Sequence, residues 1–297
     1  NASIVVLENL RFFEDWIDED SIDYINNINP RGLLREVNLN LSNLNELNST
    51  YNFSALLDGV GINLKQNNTK VDGLNGLINI NQNGGRVNID TTNLGVEVKN
   101  YLNSKLIFEL ALGEIIWRKG ESGLTISTNQ FNLKNSDFVS NSDIELSIPA
   151  NKKTPYVDLE SNWSLNDITV LKRIIPKERI NPILYDWIQE SMLAGEVESG
   201  KTKMIGLIED FPFSKKEGIF QVDANIKNLS LKYAKDWPQT RVEEMEIMFE
   251  RNQIYSHKNK LSSKGIQIQD TIIEIDDVFN PILKIEADSS SELTNLQ

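Results

Sequence analysis

Apolar and polar residues alternate one for one along run after run of this chain, and that period of two commits it to β-structure. Ile144, Leu146 and Ile148 alternate with Asp143, Glu145 and Ser147. Leu124 and Ile126 alternate with Thr125 and Ser127, while Val157, Leu159 and Trp163 share one parity of the next run. Ala111, Gly113, Ile115 and Trp117 fall on one face of another. Each run therefore has one apolar and one polar face, as antiparallel strands wet on one side require. Breaks rich in Gly, Asn, Asp and Lys separate the runs. Asn83-Gly84-Gly85 tolerates positive φ, so residues 74–82 and 86–91 read as a hairpin. Lys119 to Gly123 and Lys134 to Ser136 divide three further runs, giving a meander from about 73 to 164.

One run changes phase. Phe220, Val222, Ala224 and Ile226 hold even parity, then Leu229, Leu231 and Tyr233 hold odd parity. A strand that keeps one face buried does this only through a bulge or break, here near Lys227-Asn228, within a long bent strand at 218–234. Two helical stretches interrupt the strands. The stronger takes Asn181 as N-cap and Pro182 as its first residue and stops at Gly195, with Ile183, Leu184, Trp187, Ile188 and Met192 on one stripe. The weaker covers roughly 19–28, with Ile22, Ile25 and Ile28 at helical spacing, and Pro30 ends it. The expected fold class is mainly β, an antiparallel sheet with two short helices. Residues 1–175 form a first strand-rich unit, 176–195 a helical connection, and 196–297 a second unit continuing the same sheet.

A length of 297 residues suffices for one large or two ordinary domains, and 39% apolar with 25% charged residues describes a folded chain. The net charge of −13 argues against a phosphate backbone or a polybasic membrane attachment as the mode of binding, so no nucleic acid is expected as a partner. With no cysteine there is no disulfide framework or thiolate metal site, and the single histidine, His257, lies in a polar stretch that reads as an exposed loop. No run of about 18 apolar residues spans a bilayer. The chain opens on Asn without a basic-then-apolar leader, which reads as a mature product or, preferably, an internal fragment.

A longer ordered set of motifs begins at Ile174-Ile175-Pro176 and passes through the helix with Leu184 and Trp187 to Gly195-Glu196-Val197. It continues with Gly206, Asp210-Phe211-Pro212-Phe213, Glu217-Gly218-Ile219-Phe220 and Asp236-Trp237-Pro238. Upstream stand Trp16-Ile17-Asp18, Arg31-Gly32-Leu33, Leu74 with Gly76, and Gly113-x-Ile115-x-Trp117 followed by Arg118. This order and spacing resembles the central region of the YhdP-like branch of the AsmA-like family, over nearly the whole chain. The resemblance implies a repeating β-groove, a long curved antiparallel sheet forming an open apolar groove. It also implies a periplasmic location in the Gram-negative envelope, within an inner-membrane-anchored protein that bridges the inner and outer membranes. The implied cargo is phospholipid, with no cofactor and no catalysis.

The groove would be lined by the apolar parity: Phe108, Ile115, Trp117, Ile126, Phe138, Ile144, Leu146, Ile148, Leu159, Phe220, Val222, Ile226, Leu231, Ile247 and Phe249. The competing reading is that these residues fill a closed core between the sheet and the helices, in a structural or adaptor segment of the envelope. A third is a hydrolase built from scattered carboxylates. Asp210-Phe211-Pro212-Phe213 reads as a turn anchored by its two rings, and Trp237-Pro238 as a pinned strand end. Asp18-Glu19-Asp20 reads as acidic charge at a helix start, and Asp276-Asp277 as a solvated turn. No phosphate-cradling Gly loop, nucleophile elbow or metal-ligand set stands out.

Overall fold

The computed structural model describes residues 1–9, 26–42, 50–64, 68–99, 102, 104–151, 154–175, 177, 181–213, 217–236, 238–263, 266–280 and 282–290. Of the weaker helix, residues 26–28 are helical; the rest of it, with Trp16-Ile17-Asp18, Asp18-Glu19-Asp20, Pro176 and Trp237, lies outside the described residues. The chain divides into two compact units, residues 1–135 with 142–153, and residues 136–141 with 154–297. Both are mainly β, and every strand pair with a defined register is antiparallel.

In the first unit β1 (Ala2–Val6), β2 (Arg31–Leu41), β3 (Tyr51–Leu64) and β4 (Thr69–Asn81) pair in chain order. The far half of β4 then pairs with β5 (Gly84–Thr91), and its near half with β6 (Leu94–Val98). β6 pairs with β7 (Leu106–Phe108), β5 with β8 (Leu110–Gly120), and β8 with β9 (Gly123–Lys134). The β4–β5 turn is Gln82-Asn83, one step before the expected glycines. Gly84 and Gly85 are instead the first rungs of β5, where Gly84 adopts φ 146°. A side chain at Gly85 would meet the Trp117 ring, with Cε2 2.9 Å from its Cβ. Close approach by a neighbour, not turn geometry, is what calls for glycine there. Near residue 91 the sheet buries Ala55, Val60, Ile89, Leu94, Phe108 and Ala111. The buried Thr91 hydroxyl accepts from the Asn75 N–H (2.7 Å) and donates to the Asn75 carbonyl (3.0 Å), satisfying both groups.

The second unit is a plain meander of β11 (Tyr156–Leu165), β12 (Met192–Leu207), β13 (Ile219–Leu231), β14 (Thr240–Glu250), β15 (Gln253–Ser263), β16 (Ile266–Ile275) and β17 (Leu283–Ser290). β10 (Phe138–Pro149) contributes residues to both units. The expected phase change in β13 is a bulge at Asn228, with φ 53°. Between Ala194 and Glu196 of β12 the partner advances three residues, from Ser230 to Lys227, so Ile226 and Leu229 are both buried on one face.

The connection from β11 to β12 folds back over one end of that face. It contains a 3-10 turn (Ile168–Val170), the short α1 (Leu171–Ile174) and α2 (Pro182–Ser191). Asn181 caps α2 as expected, accepting from the Ile183 and Leu184 N–H groups at 2.8 and 3.4 Å. α2 ends at Ser191, not at Gly195, because Met192 is already paired with Leu231 as the first residue of β12. Gly195 lies inside that strand, with the Leu229 Cα 3.0 Å from where its Cβ would be. The stripe on α2 is likewise narrower than expected: Ile188 is buried, whereas Ile183 is 60% exposed. Ile168 and Val170 close a core with Leu165, Val197, Ile226, Leu229, Val242, Met245 and Leu261.

Asp167 holds this turn in place, its carboxylate accepting from the Thr169 hydroxyl (2.6 Å) and the Thr169 N–H (2.9 Å). Those two bonds, the hydroxyl first, hold its pKa below the usual carboxylate value. A depressed folded-state pKa contributes stability above the unfolded value, near pH 4, and loses it as pH falls through the folded one. Asp167→Ala should therefore cost about 1 kcal/mol at pH 7. The difference from the parent chain should narrow in urea titrations as pH falls below about 4, and a pH-independent difference would refute the cap.

Candidate functional site

Cross-strand register places the apolar parities of neighbouring strands in continuous rows. In the first unit one row runs Ile80, Gly85, Trp117, Ile126, and the next Ile78, Val87, Ile115, Thr128. The residues between them, Asn79, Arg86 and Ser127 among them, belong to the opposite, polar face. In β10, Ile144, Leu146 and Ile148 keep the same alternation against exposed Asp143 and Glu145. The Trp117 ring lies across Gly85 and the Phe131 ring across Gly113, where a Cβ would stand 2.5 Å from Phe131 Cδ2.

The second unit repeats the pattern. Its first row is Leu159, Met204 and Phe220; its second is Thr202, Val222, Phe249, Ile254, Ile275 and Leu283; its third is Gly200, Ala224, Ile247, Ser256, Ile273 and Ile285. Trp163, opposite Gly200, lies flat on it and donates its indole N–H to the Thr202 hydroxyl at 2.9 Å, which satisfies its one polar atom. Beyond the third row the face passes under the closed core. At the other margin Phe211 packs edge-on to Phe220 (4.8 Å between centroids), and Phe220 to Phe249 (5.6 Å). Phe213 is wholly buried behind them, its ring clasped between Gly206 and Gly218.

Most apolar residues of these rows are of intermediate burial. Ile115, Trp117, Ile126, Ile144, Leu146 and Ile148 in the first unit, and Leu159, Phe220, Val222 and Phe249 in the second, are neither sealed nor fully exposed. A sheet face packed under a second layer would bury them, as it does beneath Ile168. Phe108 and Ile226 are different, each 5% exposed in closed packing, Phe108 opposite Leu94 and Ile226 within the core. Phe138, Leu231 and Ile247 pack against that core from its edge. The site list drawn from parity omits Trp163 and Met204, and Ile254, Ile273 and Ile275 as well. Those of β16 were obscured by a bulge, Asp270 at φ 50°, which resets the parity that Ile266 and Ile268 begin.

The hydrogen-bonded ion pairs lie on the other face. Glu160 is held below the usual carboxylate value, and Lys203 above its usual value, by the hydrogen bond between them (2.7 Å). Lys227 is raised in the same way by Glu198, and Lys284 by Asp276. His257 sits 3.5 Å from Glu246 on this face, its ring 5.4 Å from that of Tyr255. Among the described residues no cluster of acidic, His or Cys side chains is arranged to hold a metal ion. Among them, too, no helix is long and apolar enough to cross a membrane, which leaves strands unaddressed.

The intermembrane phospholipid transporter YhdP of Escherichia coli (strain K12) is 21% identical over 182 residues, covering 61% of this chain and 14% of that protein. This chain thus spans a small part of that relative's length. No solved structure gives a significant match. A family model described as YhdP protein matches residues 4–297, and the chain accordingly belongs to the YhdP family.

Proposed function

We propose that this chain is a segment of a periplasmic bridge between the inner and outer membranes, and that it carries phospholipids with their acyl chains laid on the apolar sheet face. The observation that carries this reading is the half-open state of the apolar rows: among the described residues, Ile115, Trp117 and Ile126 in the first unit and Leu159, Val222 and Phe249 in the second keep intermediate burial outside the closed core. Each methylene taken out of water contributes about 0.8 kcal/mol, so such a surface holds an acyl chain without a deep pocket. Spreading that gain over many equivalent rows favours movement, because a lipid leaving one position finds the next of similar affinity. The second to fourth residues of a run stand about 7 Å apart along the strand, so three rows give a strip about 14 Å wide. The E. coli relative's description as an intermembrane phospholipid transporter supports the choice of cargo. In this reading the polar face is solvated wall, and the chain performs no chemistry of its own.

The closed core under Ile168 and Val170 favours a structural role for that end of the second unit alone. Native mass spectrometry of the purified 297-residue chain, with lipid extraction from the same sample, tests the proposal. Co-purifying phospholipid is the expected result. A chain that stays lipid-free after incubation with phospholipid vesicles would reduce the whole protein to the structural reading.

A further inference from the structure

The two cations that depart from the face rule are the informative ones. On the described strands with a defined register, Lys and Arg fall on the polar parity, as Arg86, Lys201, Lys203 and Lys284 do. Lys119 breaks this rule, and Arg251, in a turn at φ 56°, falls outside it. Lys119 ends β8 two residues beyond Trp117 and stands directly opposite Leu124, which shares the face of Ile126. Arg251 lies two residues beyond Phe249 in the β14–β15 turn, and its N–H donates to the Phe220 carbonyl at 3.1 Å, making Phe220 its cross-strand neighbour. Both are exposed, and neither side chain forms an ion pair or hydrogen bond with another described residue, as is also true of Arg118 and Lys201 on the polar face. Each unit thus carries a cation at a hairpin tip, level with the end of its apolar rows.

In the second unit the opposite margin of the strip is blocked by the Ile168–Ile174 segment and by Trp163 pinned to Gly200. An acyl chain lying across these rows can therefore project a polar end only past the hairpin tips. We propose that Lys119 and Arg251 bind the phosphodiester of the lipid headgroup, which orients each lipid with its head over the hairpin-tip margin. This inference rests on the lipid-carrying reading above. A singly charged phosphodiester fits a lone Lys or Arg, and a guanidinium can hold two of its oxygens at once. The net charge of −13 leaves such cations as local exceptions in an acidic chain.

The test compares uptake from vesicles of phosphatidylethanolamine and phosphatidylglycerol with uptake of diacylglycerol bearing the same acyl chains. It uses the parent chain, Lys119→Gln, Arg251→Gln, and the charge-preserving Lys119→Arg and Arg251→Lys. Each Gln variant should lower phospholipid affinity at its own unit's site about 5-fold, the scale of one solvent-exposed charge pair, leave diacylglycerol unchanged, and be rescued by the charge-preserving change. Equal phospholipid uptake by the Gln variants, or equal loss of both lipids, would overturn the headgroup assignment while leaving lipid carriage standing. Uptake of neither lipid by the parent chain would overturn both. A free-phosphate site is the remaining source of the same chemistry: a Gln-sensitive ³¹P shift with inorganic phosphate, without any Gln effect on lipid, would also overturn the assignment.

Discussion

Phe213→Ala is expected to lower the stability of the chain by about 3–5 kcal/mol, the range for a large aromatic removed from a closed site. Phe213 is 0% exposed, and its immediate walls are backbone. A Cβ at Gly206 would stand 2.6 Å from its Cε1, and one at Gly218 2.5 Å from its Cδ1. Glycine backbone held in β12 and at the residue that leads into β13 has no side chain to move inward and fill a void, so most of the cavity term is retained. The ring also braces Phe211, 6.2 Å away and nearly perpendicular, and through it the Phe220–Phe249 pair at the margin of the apolar strip. Gly206→Ala attacks the same contact from the other side, adding a methyl group where the ring already lies and where φ is 145°. Urea melts of both variants should show a lowered midpoint with the slope unchanged. A loss under 1 kcal/mol for Phe213→Ala would mean that the turn holds without its anchor.

Parity made much of this legible before any coordinates. The alternation around Leu146, Trp117 and Val222 identified the apolar face, and the phase change after Ile226 located the bulge at Asn228 within a residue. Both are local consequences of a two-residue repeat and survive without knowledge of partners. The family was legible too, through the ordered Phe-Pro-Phe and glycine motifs. What parity could not supply was depth. Phe108 and Ile115 carry the same kind of signal, yet one lies in closed packing and the other on the half-open rows, because their burial depends on which segment crosses above them. The fold-back of residues 168–174 over Ile226 and Val242 is such a crossing, set by long-range contacts. Gly195 misled for a related reason: a glycine after an amphipathic stretch usually ends a helix, but here it serves a close strand approach to Leu229.

Leu146→Asp should abolish lipid retention, by about 10-fold or more, while leaving the fold intact, and Glu145→Lys should leave both unchanged. The two residues are chain neighbours on opposite faces of β10, Leu146 half-buried and Glu145 exposed. Both substitutions change the charge at adjacent positions of one strand, so an effect confined to Leu146→Asp points to the face. An ionised carboxylate beneath an acyl chain must give up water without a partner, a cost of at least 1–3 kcal/mol even by the mildest measure. That converts to roughly 5- to 100-fold in occupancy. With no acyl chain present the same carboxylate remains partly hydrated, because the face is not sealed, so the penalty falls on the lipid-bound state and not on folding. Extracted phospholipid per mole of protein, read beside a urea midpoint, separates the two states. Loss of stability in Leu146→Asp matching a Leu-to-Asp change in a closed core, several kcal/mol, would show the face to be covered and would remove the basis for lipid carriage on it. Equal lipid content in the two variants would remove it as well, since a track that ignores a charge on its own surface is not where the acyl chains lie.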